Sequence, residues 1–392
     1  MADAAGGRAG GQARAQPHRR AVAEPGARQD RDPAACILRP ARGGAAAERV
    51  RLQIDLIRAR LRAPFVSASG SLRTRDLLLV ALEGDDGVIG FGEAAPLQGY
   101  DGVALRDVRT ALEDCRSVLA GSDGADDRAD LLAVCARTAI LPHAIAALDL
   151  ALWDLAGRRS GQPVWQLLGA LDPDPVEVNA TIARTDRAGA AREAARARAA
   201  GFRCLKVKVG LGDDAGRVAA VRAAAGPEMA IRLDANGAWS VPEAVAALGA
   251  LAPAGIECCE EPVHGLEEIA RVAAEAPVAV AIDESSAGAL HRRVCDSVCL
   301  KVVRCGGISG LLDAARRACA VGYEVYLAST LDGPLGIAAA LHAAAVIRPD
   351  RPCGLATLGL LDREDPLPPR EGRLSVPAGP GLGAGLLAWY GA

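Results

Sequence analysis

From Pro175 onward the chain repeats one unit. Short β-like runs end at Ile182, Val209, Asp234, Glu260, Asp283, Val303 and Ser329, and alanine-rich helical stretches such as "AGAAREAARARAAG" and "VPEAVAALGALAPAG" separate them. The step is about 20 to 27 residues, long enough for one strand and one return helix. Repeated βα units at this period favour a parallel sheet, and a run of seven or eight of them favours a closed (β/α) barrel. A doubly wound open sheet is the competing arrangement. It asks for a glycine-rich first turn, and no Gly-x-Gly-x-x-Gly follows a strand here.

The preceding part has another rhythm. "RLQIDLIRARL", "DLLLVALEG" and "GVIGFGEAAPL" read as strands, with Gly-Asp-Asp-Gly as the hairpin turn between the last two. "PHAIAALDLALWDLAGRRSG" carries helical spacing and stops at Gly161. Strands followed by helices predict a small α+β domain over residues 49–165. The barrel then occupies 166–372, and 373–392 form a C-terminal segment. Residues 1–48 are Ala, Gly, Arg and Pro without an apolar period, and read as a disordered extension. They lack the apolar stretch of a signal peptide.

Composition narrows the function classes. A net charge of −3 and 11 aromatic residues supply neither a basic footprint nor stacking platforms, which tells against nucleic acid. No stretch approaches the ~20 apolar residues needed to span a membrane. The 11 cysteines are an odd number, include no Cys-x-x-Cys pair, and sit partly inside apolar runs, as at Cys204, Cys299 and Cys319. Free, mostly buried thiols in a reducing cytoplasm fit this pattern better than a disulfide framework.

The strand ends carry the chemistry. Of 45 basic residues only Lys206, Lys208 and Lys301 are lysine, leaving 42 arginines. A lysine can act as a base when desolvated, whereas an arginine cannot lose its proton. Lys206 and Lys208 are two apart on one strand and share a facing toward the barrel interior. The next three strands end in Asp234, in Glu260 with Glu261, and in Asp283 with Glu284, and the following one ends near Lys301. A lone strand-end Asp is more often a helix cap, and a lone lysine a solvated charge. Here carboxylates end three adjacent strands about 4.8 Å apart, within reach of one cation, and lysine strands flank them. Oxygen ligands without His or Cys call for a hard ion, foremost Mg²⁺. Such an ion stabilises the enediolate formed when a proton leaves the carbon next to a carboxylate, with lysines on its two faces.

"KVKVG", "RLDANGAW", "EEP", "DES" and "KVVRCGG", in this order, resemble the enolase superfamily, specifically its muconate-lactonizing subgroup. The resemblance spans residue 50 to the end. It implies an α/β fold: a (β/α)₇β TIM-like barrel closed by an N-terminal α+β capping domain, with the C-terminal segment returning to the cap. It implies Asp234, Glu260 and Asp283 as ligands of Mg²⁺, for which Mn²⁺ can substitute. Lys208 becomes the base, Lys206 its electrostatic neighbour and Lys301 the opposing lysine. Asn236 stands behind the ligands, and Arg232, Ser329 and Asp332 are expected to meet substrate or support the residues that do. "GFGEAAPLQGYD", "RLDANGAWS" and "RPCGLATLGLLD" look most like o-succinylbenzoate synthases, lyases of menaquinone biosynthesis. The alternative is a dipeptide (L-Ala-D/L-Glu type) epimerase or another cycloisomerase or racemase of the subgroup; dipeptide epimerases typically carry an Asp-x-Asp where this chain has "GLATLGLL". An inactive barrel used for binding would have lost some of the six charged positions, and all six are present. The expected partner is a small carboxylate substrate, and a homo-oligomer is compatible with the sequence.

Overall fold

The computed structural model describes residues 50–391 apart from 69 and 123–127. The extension expected over 1–48 lies outside the described residues. Strands β1 (Val50–Ser67), β2 (Gly70–Gly84) and β3 (Ile89–Ala94) form an antiparallel sheet in the order β1-β2-β3. Alternation sorts their side chains: Leu78, Val80 and Leu82 pack with the cap helices, while Leu77 and Leu79 join the core that continues into the barrel. The helix Pro142–Ser160 lies on this sheet and ends at Gly161, whose left-handed conformation caps it. Gly90 and Gly92 permit that close approach. A Cβ on either would run into the backbone oxygens of Ala151 or Ala147.

β4 (Val176–Glu177) precedes the barrel, which begins with β5 (Ala180–Ile182). It continues through β6 (Cys204–Lys208), β7 (Ala230–Asp234), β8 (Ile256–Glu260), β9 (Val280–Ile282), β10 (Ser297–Leu300) and β11 (Glu324–Leu327). Strands β5 to β11 form one seven-stranded parallel sheet in sequence order. Its two edges meet through Cys353 and Gly354, which bridge to Val178 and Ala328. Asn179 N–H donates to Cys353 O at 2.9 Å, and Gly354 N–H to Leu327 O at 2.7 Å, so a very short eighth strand closes the cylinder. β12 (Arg373–Leu374) pairs with β4 outside it.

The tail beyond β12 binds back on earlier elements. Leu382 N–H donates to Asp154 Oδ1 at 2.7 Å, on the long cap helix. Tyr390 OH donates to Glu93 on β3, and also accepts from Leu335 N–H at 2.9 Å. Arg75 of β2 is buried and clamps the cap to the barrel lip. It donates to Pro96 O at 2.5 Å and to Ala95 O on the cap, and to Thr330 O and Leu331 O, both at 3.2 Å, on the lip.

Two sequence expectations need correction. The runs read as ending at Val303 and Ser329 stop being strand at Leu300 and Leu327. After Leu300 the chain folds into a turn in which Arg304 and Cys305 N–H donate to Lys301 O at 3.1 and 3.0 Å. Cys319 is exposed, although Cys204 and Cys299 are buried as expected. Among the described residues no helix is long and apolar enough to cross a membrane.

Candidate active site

Parallel strands deliver their carboxyl ends to one rim of the barrel, and the cap covers that rim. Between them lies a cavity of about 200 Å³. The barrel contributes Lys206, Lys208, Asp234, Asn236, Asp283 and Lys301, and the lip adds Ser329, Thr330, Leu331 and Thr357. The cap contributes Phe65, Ser67, Leu72, Leu97 and Tyr100.

The three lysines are buried and each is paired. Lys206 Nζ bridges Asp234 Oδ2 at 2.8 Å and Glu260 Oε1 at 2.5 Å. Lys208 Nζ donates to Asp234 Oδ2 at 2.6 Å and to Asn236 Oδ1 at 2.9 Å. Lys301 is paired with Asp283 and donates to Tyr100 OH at 2.6 Å. Its strand lies four positions from that of Lys208 in the seven-stranded sheet, so the two approach the cavity from different sides.

Burial works against every charge here, and the pairing decides the outcome. Burial would lower the Lys206 and Lys301 ammoniums, but Asp234 and Glu260 around the first and Asp283 beside the second raise both above the ordinary lysine value. Burial would likewise raise Asp234 and Asp283, yet the lysines hold both below the usual carboxylate range. Glu260 goes the other way, pushed up by burial despite Lys206.

A hard cation fits this donor set. Ligand atoms of Glu260, Asp283 and Cys299 lie within 4.8 Å of one another. Cys299 is an unsuitable partner for a hard ion, because burial pushes its thiol well above the ordinary value and keeps it protonated. Asp234 is outside that group and is tied to Glu260 through the Lys206 ammonium. Three buried carboxylates therefore share a small region in which positive charge is already required.

The remaining expected residues divide. Asn236, at φ +47°, lines the cavity and joins Lys208 to Glu284, its Nδ2 donating to Glu284 Oε1 at 2.9 Å. Ser329 lines the cavity and shares a 2.8 Å hydroxyl–hydroxyl hydrogen bond with Thr357. Arg232 does not reach it, which leaves support of other residues as the role open to it. It is fully buried, donates to Pro352 O at 3.0 Å and stacks on Tyr326. Two residues back along a strand is the same facing but ~6–7 Å deeper. Asp332 does not line the cavity either. It accepts from Thr330 Oγ1 at 2.7 Å and so fixes a lip residue that does. Glu261 turns away to brace the next loop, accepting from Asp283 N–H at 2.8 Å and Ser285 Oγ at 2.5 Å.

Three contributors escaped the strand-end reading. Tyr100 OH donates to Asp283 Oδ1 at 2.6 Å, Phe65 stands 5.6 Å from Lys208 Nζ, and Tyr326 OH donates to Glu260 Oε2 at 2.8 Å. Tyr100 does lie in "GFGEAAPLQGYD", a stretch already singled out, and it is one of only four tyrosines.

Known proteins share this architecture. Residues 52–169 match the model of the mandelate racemase / muconate lactonizing enzyme N-terminal domain, and residues 189–388 match the enolase C-terminal domain-like model. An L-Ala-D/L-Glu epimerase of Clostridium acetobutylicum is 32% identical over 301 residues, 74% of this chain and 84% of the relative. An o-succinylbenzoate synthase of Mycobacterium bovis is 40% identical over 220 residues, 52% of this chain and 64% of the relative. The crystal structure of a dipeptide epimerase from Cytophaga hutchinsonii, complexed with Mg and the dipeptide D-Ala-L-Val, superposes with a TM-score of 0.79. It is 26% identical, and the match covers 86% of this chain and 96% of that one. Cap and barrel are thus each matched by the corresponding family model, and the chain is an enzyme of the enolase superfamily.

Proposed function

We propose that this enzyme is a Mg²⁺-dependent carbon–oxygen lyase that dehydrates a small carboxylate, acting as an o-succinylbenzoate synthase. One observation carries the choice. Apart from the three lysines and the Asp234 and Asp283 that they hold, the cavity wall has hydroxyl, amide, phenol, phenyl, glycine and aliphatic groups, and no further carboxylate among the described residues. The short eighth strand contributes Gly354 and Thr357 where an acidic pair would be needed to hold an amino group. A dipeptide's ammonium would be desolvated there without a partner, which is costly. A carboxylated ring with an uncharged hydroxyl has no cationic group that would ask for such a partner. The 40% identity to an o-succinylbenzoate synthase over half the chain supports the same reading.

Asp234, Glu260 and Asp283 would hold Mg²⁺, which when bound supplies positive charge to the substrate carboxylate. Lys208 faces the cavity, oriented by Asp234 and Asn236, and takes the α-proton. The electron pair left on carbon forms the new ring double bond as the neighbouring C–O bond breaks. Lys208 returns its proton to the departing hydroxide on the same side, giving water and an aromatic ring. Lys301, kept cationic by Asp283, stabilises the negative charge and moves no proton.

The alternative is a dipeptide epimerase, favoured by the placement of Lys208 and Lys301 on separated strands, which would suit proton transfer on two faces. Purified protein offered the cyclohexadiene precursor of succinylbenzoate, beside a panel of L-Ala dipeptides, separates the two. Appearance of succinylbenzoate supports the dehydratase; epimerised dipeptide with no succinylbenzoate refutes it.

A further inference from the structure

Arg232 and Tyr326 form a buried column that the proposed chemistry does not use. Neither side chain reaches solvent. The guanidinium carbon lies 4.4 Å from the centre of the Tyr326 ring. The hydroxyl of that ring donates to Glu260 Oε2 at 2.8 Å, while Lys206 Nζ holds Glu260 Oε1 at 2.5 Å. Both oxygens of one buried carboxylate are therefore fixed, from two strands.

Packing alone is a poor reason for this arginine. Its Nε has no partner, and its nearest carboxylate, Glu257, stands 3.4 Å away. An apolar side chain of similar volume would fill the space without the cost of desolvating a cation. What a cation on the ring face adds is electrostatic. It is attracted to the ring and polarises it, which strengthens the phenol as a donor in a low-dielectric interior. Arg232 shares its facing on β7 with Asp234, two residues on, and Tyr326 lies on β11.

We infer that Tyr326 is a positioning residue for the divalent cation. Its hydroxyl, backed by Arg232, holds the Glu260 carboxylate in the orientation that brings one oxygen within 4.8 Å of Asp283. This rests on the reading of Glu260 as a metal ligand. Without the hydroxyl, Glu260 keeps Lys206 as its one side-chain donor among the described residues and is free to turn toward it. Outer partners of this kind change metal affinity by about 10- to 100-fold.

Tyr326→Phe is the test, because it keeps the ring, its volume and the stacked guanidinium. Mn²⁺ is titrated into the chelator-stripped full chain and free ion is followed by EPR, with thermal unfolding measured in chelator alongside. We expect Mn²⁺ to bind about 10- to 100-fold more weakly to the variant, while the metal-free unfolding temperature changes little. A purely structural role would lower that temperature and leave Mn²⁺ affinity alone, which would overturn the inference. Equal affinity in both proteins overturns it as well. If the unaltered protein binds no Mn²⁺, the inference falls together with the metal reading, so the two failures are told apart by the unaltered protein's own titration.

Discussion

Tyr100 of the cap accepts a 2.6 Å hydrogen bond from Lys301 of the barrel, and its hydroxyl donates onward to Asp283 Oδ1 at 2.6 Å. The Lys301–Asp283 pair of the barrel is therefore completed by a residue of the cap. Arg304 joins the same hydroxyl at 3.3 Å. Tyr100→Phe removes a hydrogen bond to charged partners worth roughly 1.5–3 kcal/mol. We expect kcat to fall about ten-fold or more while circular dichroism stays unchanged, and steady-state kinetics on the purified variant checks it.

Lys208→Arg preserves charge and approximate bulk but offers no proton acceptor. If Lys208 is the base, kcat drops at least ~10²-fold. A lysine that only pairs with Asp234 and Asn236 would tolerate the change with turnover near that of the unaltered enzyme. Single-turnover kinetics decides between these.

Metal removal bears on the carboxylates. Exhaustive chelation should abolish turnover, and Mg²⁺ or Mn²⁺ should restore it. Asp234→Asn and Glu260→Gln should each lose most activity and remain folded by thermal denaturation. Full turnover after chelation would exclude these three carboxylates as a cofactor site.

Stability should depend on pH through Glu93. Burial, reinforced by Asp332, pushes its carboxyl up from 4.5 to about 8. The folded state therefore prefers the protonated form. The contribution is fully present below the unfolded value of 4.5 and is lost as pH rises toward about 8. Unfolding temperature should decline across that window, and Glu93→Gln should make the decline shallower. Glu284, raised to about 8, Glu261, raised to about 7, and Asp149, raised to about 6, all chiefly by burial, add to the decline with the same sign and remain in the variant. An unchanged slope in Glu93→Gln would remove Glu93 as the cause.

Much of the site was legible because strand alternation and chemistry agree. Lys206, Lys208, Asp234, Asp283 and Lys301 reach one cavity, as their strand-end positions imply. Alternation gives facing and not depth, so it left open whether Arg232 meets substrate or supports other residues, and it did not reveal that Glu260 is sealed beneath the cavity. Tyr100 and Phe65 depend on how the cap docks, a long-range packing outcome that no local period encodes. The end of β10 was set too late because Val302 and Val303 remain apolar and buried inside a turn. Hydrophobicity there reports burial rather than strand.

Proton transfer in D₂O, read by NMR, tests the central claim most directly. A dehydratase using Lys208 for both steps should convert the cyclohexadiene substrate to succinylbenzoate, with no deuterium entering recovered substrate from the Lys301 side. Dipeptides in the same tube should keep their α-protons. Deuterium washing into a dipeptide α-carbon with inversion, and no succinylbenzoate formed, would contradict the dehydratase and establish two-faced proton transfer in its place.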